Sequence, residues 1–102
     1  MKNLNSTNFN DFITGDGIKV IDFNAAWCGP CKMMKPEIES LESEMSDIDF
    51  GSVDIDAEPQ LAMKYKVELI PTILFIKDGQ AVSTSVGLKK RDEIRETINS
   101  IV

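Results

Sequence analysis

Trp27-Cys28-Gly29-Pro30-Cys31-Lys32 holds the only two cysteines of the 102-residue chain. A C-x-x-C pair whose Pro30 opens a helix sets two sulfurs near its first turn, within disulfide reach. The unpaired N–H groups and partial positive charge there favour a thiolate, so Cys28, at or just before the helix, is the expected nucleophile. Cys31, three residues on, is the resolving partner. Other uses of the spacing fail on counting. A closed zinc site within one chain needs four Cys or His ligands, and this chain has two Cys and no His. An iron-sulfur cluster fails in the same way. Haem attachment needs His after the second Cys, where Lys32 stands. A structural disulfide would close a loop of two residues, where the entropic gain is smallest. Redox chemistry is the reading left, provided the motif lies between a strand and a helix.

The chain on either side supplies that context. Ile18 to Phe23 is a short apolar run rich in β-branched residues, read as a buried strand leading through Asn24-Ala25-Ala26 to the cysteines. From Pro30 to about Met45, Met34, Ile38, Leu41 and Met45 recur at helical spacing, with Pro36 inside the helix, where it removes a hydrogen bond. Ile48 to Ile55 reads as a second central strand. Asp54 and Asp56 have no His nearby, so they are read as strand-end and helix-capping residues, Asp56 capping a short helix with Pro59 in its first turn. Thr72 to Ile76 is a strand, and Lys77-Asp78-Gly79-Gln80 is a hairpin turn into Ala81 to Val86. The last helix, about Lys90 to Ile101, turns Ile94, Ile98 and Ile101 to one face and lacks a good capping residue. Upstream, a short strand near Lys2 to Leu4 precedes a helix that Ser6 or Thr7 can cap, with Phe9, Phe12 and Ile13 on one face, stopped by Gly15-Asp16-Gly17.

The order is βαβαβαββα: an α/β chain of one domain, residues 1 to 102, with a central mixed five-stranded sheet and helices on both faces. Hydrophobic content of 42% and charged content of 27% fit an ordinary globular protein, and no apolar run nears the roughly 20 residues of a membrane span. The N-terminal residues lack a signal-peptide core, which makes the cytoplasm the expected location. There a disulfide is more often catalytic than structural. A net charge of −6 repels nucleic acid and anionic membranes at long range, so neither is an expected partner.

These features together resemble the thioredoxin family. Trp27 to Lys32 matches its redox motif, Val20-Ile21-Asp22-Phe23 the strand before it, Pro36 its helix proline, Ile70-Pro71-Thr72 its cis-proline segment, and Val86-Gly87 a glycine beside the site. The likeness runs from about Phe9 to the C-terminus. It implies the thioredoxin fold, a cis bond before Pro71, and a substrate-binding surface of Trp27, Gly29, Pro30, Ile70, Pro71 and Gly87. It also implies a protein that reduces disulfide-containing protein substrates, is recharged by a thioredoxin reductase, and needs no cofactor beyond the reversible Cys28-Cys31 disulfide; a monomer is the default expectation, since assembly cannot be read from the sequence.

Asp22 is the candidate proton acceptor for Cys31, since a carboxyl in an apolar strand has a raised pKa; the alternative is a solvated strand-end aspartate. Two positions depart from the family. Asn24 stands where a second tryptophan is usual, and Ser52 where a lysine often lies close to the buried aspartate. The missing cation leaves desolvation less opposed and predicts a higher pKa for Asp22. Gly29-Pro30 offers no side-chain cation to hold the Cys28 thiolate, which favours a reductant over an oxidase or isomerase of the same fold. A binding module using the Trp27, Pro30 and Ile70 surface without turnover is the alternative from another class.

Overall fold

The computed structural model describes residues 1–102. Its strands are β1 (Lys2–Asn3), β2 (Ile18–Asn24), β3 (Asp49–Asp54), β4 (Thr72–Lys77) and β5 (Gln80–Val86); its helices are α1 (Phe9–Ile13), α2 (Gly29–Glu44), α3 (Pro59–Lys64) and α4 (Arg91–Ile101). The order along the chain is the βαβαβαββα of the sequence reading, with boundaries moved by a residue or two. The five strands make one sheet in the order β1-β3-β2-β4-β5. β1 and β2 run parallel to β3, as helical crossovers require, while β4 lies antiparallel to β2 and β5 antiparallel to β4. No helix is long and apolar enough to cross a membrane.

Side chains alternate across the sheet, so the period of two sorts β2 into faces. Ile18 and Val20 join Met34, Ile38 and Leu41 of α2 and Ile94 and Ile98 of α4 in one core layer. Ile21 and Phe23 join Phe9 of α1 and Leu61 of α3 in the other. Each such side chain, fully buried, stabilises the fold by about 1.5–3 kcal/mol. On β3, Phe50 faces α2 and Val53 faces away, which puts Ser52 and Asp54 on the α2 side. Towards the C-terminal ends of these two strands, the α2 face therefore changes from Val20 beside Phe50 to Asp22 beside Ser52 and Asn24 beside Asp54. The redox helix begins at that polar end.

The local signals fared unevenly. Asp78 and Gly79 adopt φ of 51° and 83°, the left-handed pair of a two-residue hairpin, and Lys77 faces Gln80 across it. Neither Ser6 nor Thr7 caps α1: its N-cap is Asn8, with no side-chain bond into the helix, and Asn5 holds the turn before it, its Oδ1 accepting the N–H of Thr7 at 2.8 Å and of Asn8 at 3.0 Å, while Asn8 Oδ1 accepts the Asn5 N–H at 2.8 Å. This reciprocal pair satisfies the donors that a serine or threonine would otherwise serve. Asp56 does not cap α3. The turn is held by Asp54, which accepts the N–H of Asp56 on Oδ1 at 2.9 Å and of Glu58 on its carbonyl at 2.8 Å, and α3 starts beyond it with no side-chain cap. The poorly capped α4 borrows an acceptor from α2: Glu37 Oε1 accepts the Arg91 N–H at 3.2 Å. Glu93 adds a bond at 3.3 Å to the Lys90 N–H. Arg95 then forks onto Glu44 at 2.6 and 2.8 Å, fastening α4 along α2.

Candidate active site

Cys28 is the N-cap of α2, with extended backbone, and Pro30 is the second helical residue, where its missing N–H is not needed. Cys28 and Cys31 are joined by a disulfide, their Cα atoms 5.3 Å apart. Cys28 Sγ also accepts the backbone N–H of Cys31 at 3.2 Å, a contact that favours the thiolate once the bond is opened. In the disulfide form, exposure does not separate the two sulfurs as nucleophile and resolving group, since Cys28 is 5% and Cys31 4% exposed. Their surroundings differ. Cys31 lines a cavity of about 410 Å³ together with Asp22, and Cys28 does not.

The disulfide lies under a rim of predicted contact residues. Trp27 is 68% exposed, and Gly29 and Pro30 are exposed beside it. Half-buried Ile70 packs against the cluster of Ala25, Cys28 and Cys31. The Ile70-Pro71 bond is cis, as the family resemblance implies. Ile70 precedes β4, and its N–H and C=O make no hydrogen bond within the protein. Pro71 is buried, and its carbonyl accepts the Gly87 N–H at 2.8 Å, which ties Gly87 to the same loop; φ of +95° there suits glycine. Trp27, Gly29 and Pro30 flank the cysteines in the chain and Ile70 packs on them, with Pro71 next to Ile70 and Gly87 hydrogen-bonded to Pro71.

Asp22 is 2% exposed, so the solvated strand-end alternative is excluded. Burial pushes its carboxyl up to about 6, opposed by one hydrogen bond from the Asn24 side chain. Asn24 Nδ2 donates to Asp22 Oδ2 at 3.2 Å, and Asp22 Oδ1 is buried with no partner in the protein. The raised direction is the one expected of a carboxyl in an apolar strand. The sequence reading missed Asp56 as a site residue: its Oδ2 accepts the indole N–H of Trp27 at 2.8 Å and orients the exposed ring. That pair spans 29 residues, and nothing in the local pattern around Asp56 signals it.

A disulfide at a helix N-terminus, ringed by exposed apolar residues and backed by a buried carboxyl, defines a thiol-disulfide oxidoreductase with protein-disulfide reductase activity. The comparisons with known proteins agree. The thioredoxin family model matches residues 1–100. The chain is 48% identical over 99 residues to a thioredoxin of Chlamydia caviae, covering 97% of this chain and 96% of the relative. It is 45% identical over 87 residues to that of Bacillus subtilis, covering 84% of each. Oxidised mitochondrial thioredoxin 3 of Saccharomyces cerevisiae superposes with a TM-score of 0.90 at 35% identity, covering 98% of this chain and 94% of that one. The chain belongs to the thioredoxin family.

Proposed function

We propose that Cys28 is the nucleophile, Cys31 the resolving thiol and Asp22 the proton acceptor in a two-step reduction of protein disulfides. The Cys28 thiolate attacks one sulfur of a substrate disulfide and expels the other as a thiolate, leaving a mixed disulfide. Cys31 gives its proton to Asp22 and attacks Cys28 Sγ, expelling the second substrate thiolate and closing the Cys28-Cys31 disulfide. Two electrons pass to the substrate. A thioredoxin reductase then returns the pair to the dithiol, with no bound cofactor, in a monomer working in a compartment kept reducing, such as the cytoplasm. Substrate lies over Trp27, Gly29, Pro30 and Gly87, and pairs as an extended strand with the free N–H and C=O of Ile70 beside Pro71.

The observation that carries the assignment of roles is the helix-cap position of Cys28, whose sulfur receives the Cys31 N–H, set against the cavity that Cys31 shares with Asp22. The test follows insulin reduction driven by each of several thioredoxin reductases. Cys28→Ser abolishes turnover, while Cys31→Ser stops after the first step and accumulates a mixed disulfide visible by mass. Trapping by Cys28→Ser in place of Cys31→Ser would reverse the roles.

A further inference from the structure

Asn24 and Ser52 meet at Asp22. Asn24 follows Asp22 by two on β2 and so shares its face, and Ser52 is the β3 residue in register with Asp22. Asn24 Nδ2 lies 2.7 Å from Ser52 Oγ, 3.1 Å from the Asp22 carbonyl oxygen and 3.2 Å from Asp22 Oδ2. The carbonyl and the ionised carboxylate can only accept, so the amide must turn its nitrogen to them. Two hydrogens then serve three acceptors. The shortest contact crosses to β3 and pins the amide plane, leaving the other hydrogen to the two oxygens of Asp22. One carboxylate oxygen is held and the other has no partner.

We propose that Asn24 and Ser52 are positioning residues for proton transfer: the cross-strand pair fixes Asp22 by Oδ2 and presents Oδ1 as the single accepting oxygen towards the cavity shared with Cys31. The proposal rests on the reading of Asp22 as proton acceptor given above. In this chain the Asn24 amide stands where a cation would otherwise oppose desolvation of the carboxyl. The charged and titratable groups around the cavity are Cys31, Lys32 and Lys35 of α2, Asp54 of β3 and the Met1 amino group, itself paired with Glu42 at 2.7 Å. β4 sets Ile73 opposite Asp22, which does not titrate. None of these groups donates a hydrogen bond to the carboxyl, so the Asn24 amide is the one side-chain donor that opposes desolvation.

The test is a carbon-13 titration of the Asp22 carboxyl in the oxidised protein, where the cysteines are silent, paired with the pH profile of mixed-disulfide resolution in the reduced protein. Removing a donor to the charged form in Asn24→Ala moves the carboxyl midpoint up by about half to one pH unit, and Ser52→Ala, which unpins the amide, moves it up by less. Ser52→Lys sets a cation beside the carboxyl and moves the midpoint down by about one unit. The resolution profile follows the midpoint in each variant. Should Asn24→Ala fail to fold, the two substitutions of half-buried Ser52 decide alone. Midpoints within about 0.2 unit of wild type in every folded alanine variant overturn the proposal. So does a resolution profile that stays put in those variants while Asp22→Asn alters it. A profile unaltered by Asp22→Asn instead refutes the proton-acceptor role itself, a result the carboxyl titration cannot produce.

Discussion

Asp22→Asn in the oxidised protein isolates the free energy of burying one carboxylate, because the cysteines cannot titrate there and every other carboxylate is common to both proteins. The folded pKa is about 6 against an ordinary 3.8. An acid whose folded value is raised holds its proton more tightly when folded, so ionisation favours unfolding. The wild type therefore bears no cost below the unfolded value, a growing cost between 3.8 and about 6, and a constant cost above. A rise of about two pH units, at roughly 1.36 kcal/mol per unit, sets the plateau near 3 kcal/mol, of which about 2 develops between pH 4 and pH 8. Asparagine keeps the shape and the acceptor for the Asn24 amide but adds an NH₂ that needs a partner, so a constant offset of about 1–3 kcal/mol opposes the gain at all pH values. The offset shifts the difference curve without changing its slope. Urea unfolding of both proteins at steps from pH 4 to pH 8 should give a stability difference that moves in favour of the variant by about 2 kcal/mol and levels off near neutrality. A flat difference would show that folding leaves the carboxyl's pKa unchanged, and one that moves the other way that folding lowers it; either would refute the reasoning.

Three further outcomes are expected. In the reduced protein, iodoacetamide near neutral pH labels Cys28 first, because its sulfur sits at the helix cap; peptide mapping that finds Cys31 modified first contradicts this. Asp56→Ala releases the Trp27 indole, so kcat/KM for insulin falls while that for a small disulfide holds, with stability changed by about 1 kcal/mol or less because the bond is exposed; equal losses on both substrates would deny the ring a role in protein binding. Gly51→Ala places a Cβ 2.5 Å from Leu4 Cδ1 and 3.1 Å from the Phe12 ring, beneath the β1 edge. It should destabilise by about 1–3 kcal/mol in urea, and an unchanged midpoint would mean that Leu4 yields freely.

What the sequence disclosed was carried by neighbours in the chain. The C-x-x-C spacing with Pro30, the apolar run Ile18 to Phe23 and the Asp78-Gly79 turn each encode their geometry within a few residues, and each stands as read. The misreadings concern partners far apart. Asp56 looked like a cap for the helix just after it, but its carboxylate is taken by Trp27 on another element. The weak cap of α4 was read correctly, since the Lys90 side chain caps nothing, but the acceptor that serves instead, Glu37, lies 54 residues upstream of Arg91. The insertion of β4 beside β2, antiparallel, depends on how α3 returns the chain, and a buried strand reads the same in either direction. Asn24 and Ser52 were visible as departures from the family, but not as a pair, since the register of β2 on β3 brings them together.

That register also explains why an acid is buried at all. A one-residue slip of β2 would carry Ile21 and Phe23 under α2 and turn Asp22 to the α1 and α3 side, exchanging the two core layers. Six fully buried side chains, Val20, Ile21 and Phe23 of β2 and Ile73, Phe75 and Ile76 of β4, sit on this strand pair, and at about 1.5–3 kcal/mol each they outweigh the roughly 3 kcal/mol that Asp22 costs when ionised. The apolar pattern thus holds the carboxyl where solvation alone would not leave it. The polar residues at the ends of β2 and β3 complete the arrangement: they lie on the same face by the same alternation, and α2 starts above them with its cysteines. Burial of Val20 and Phe50 and the unpartnered oxygen of Asp22 are consequences of one strand alignment.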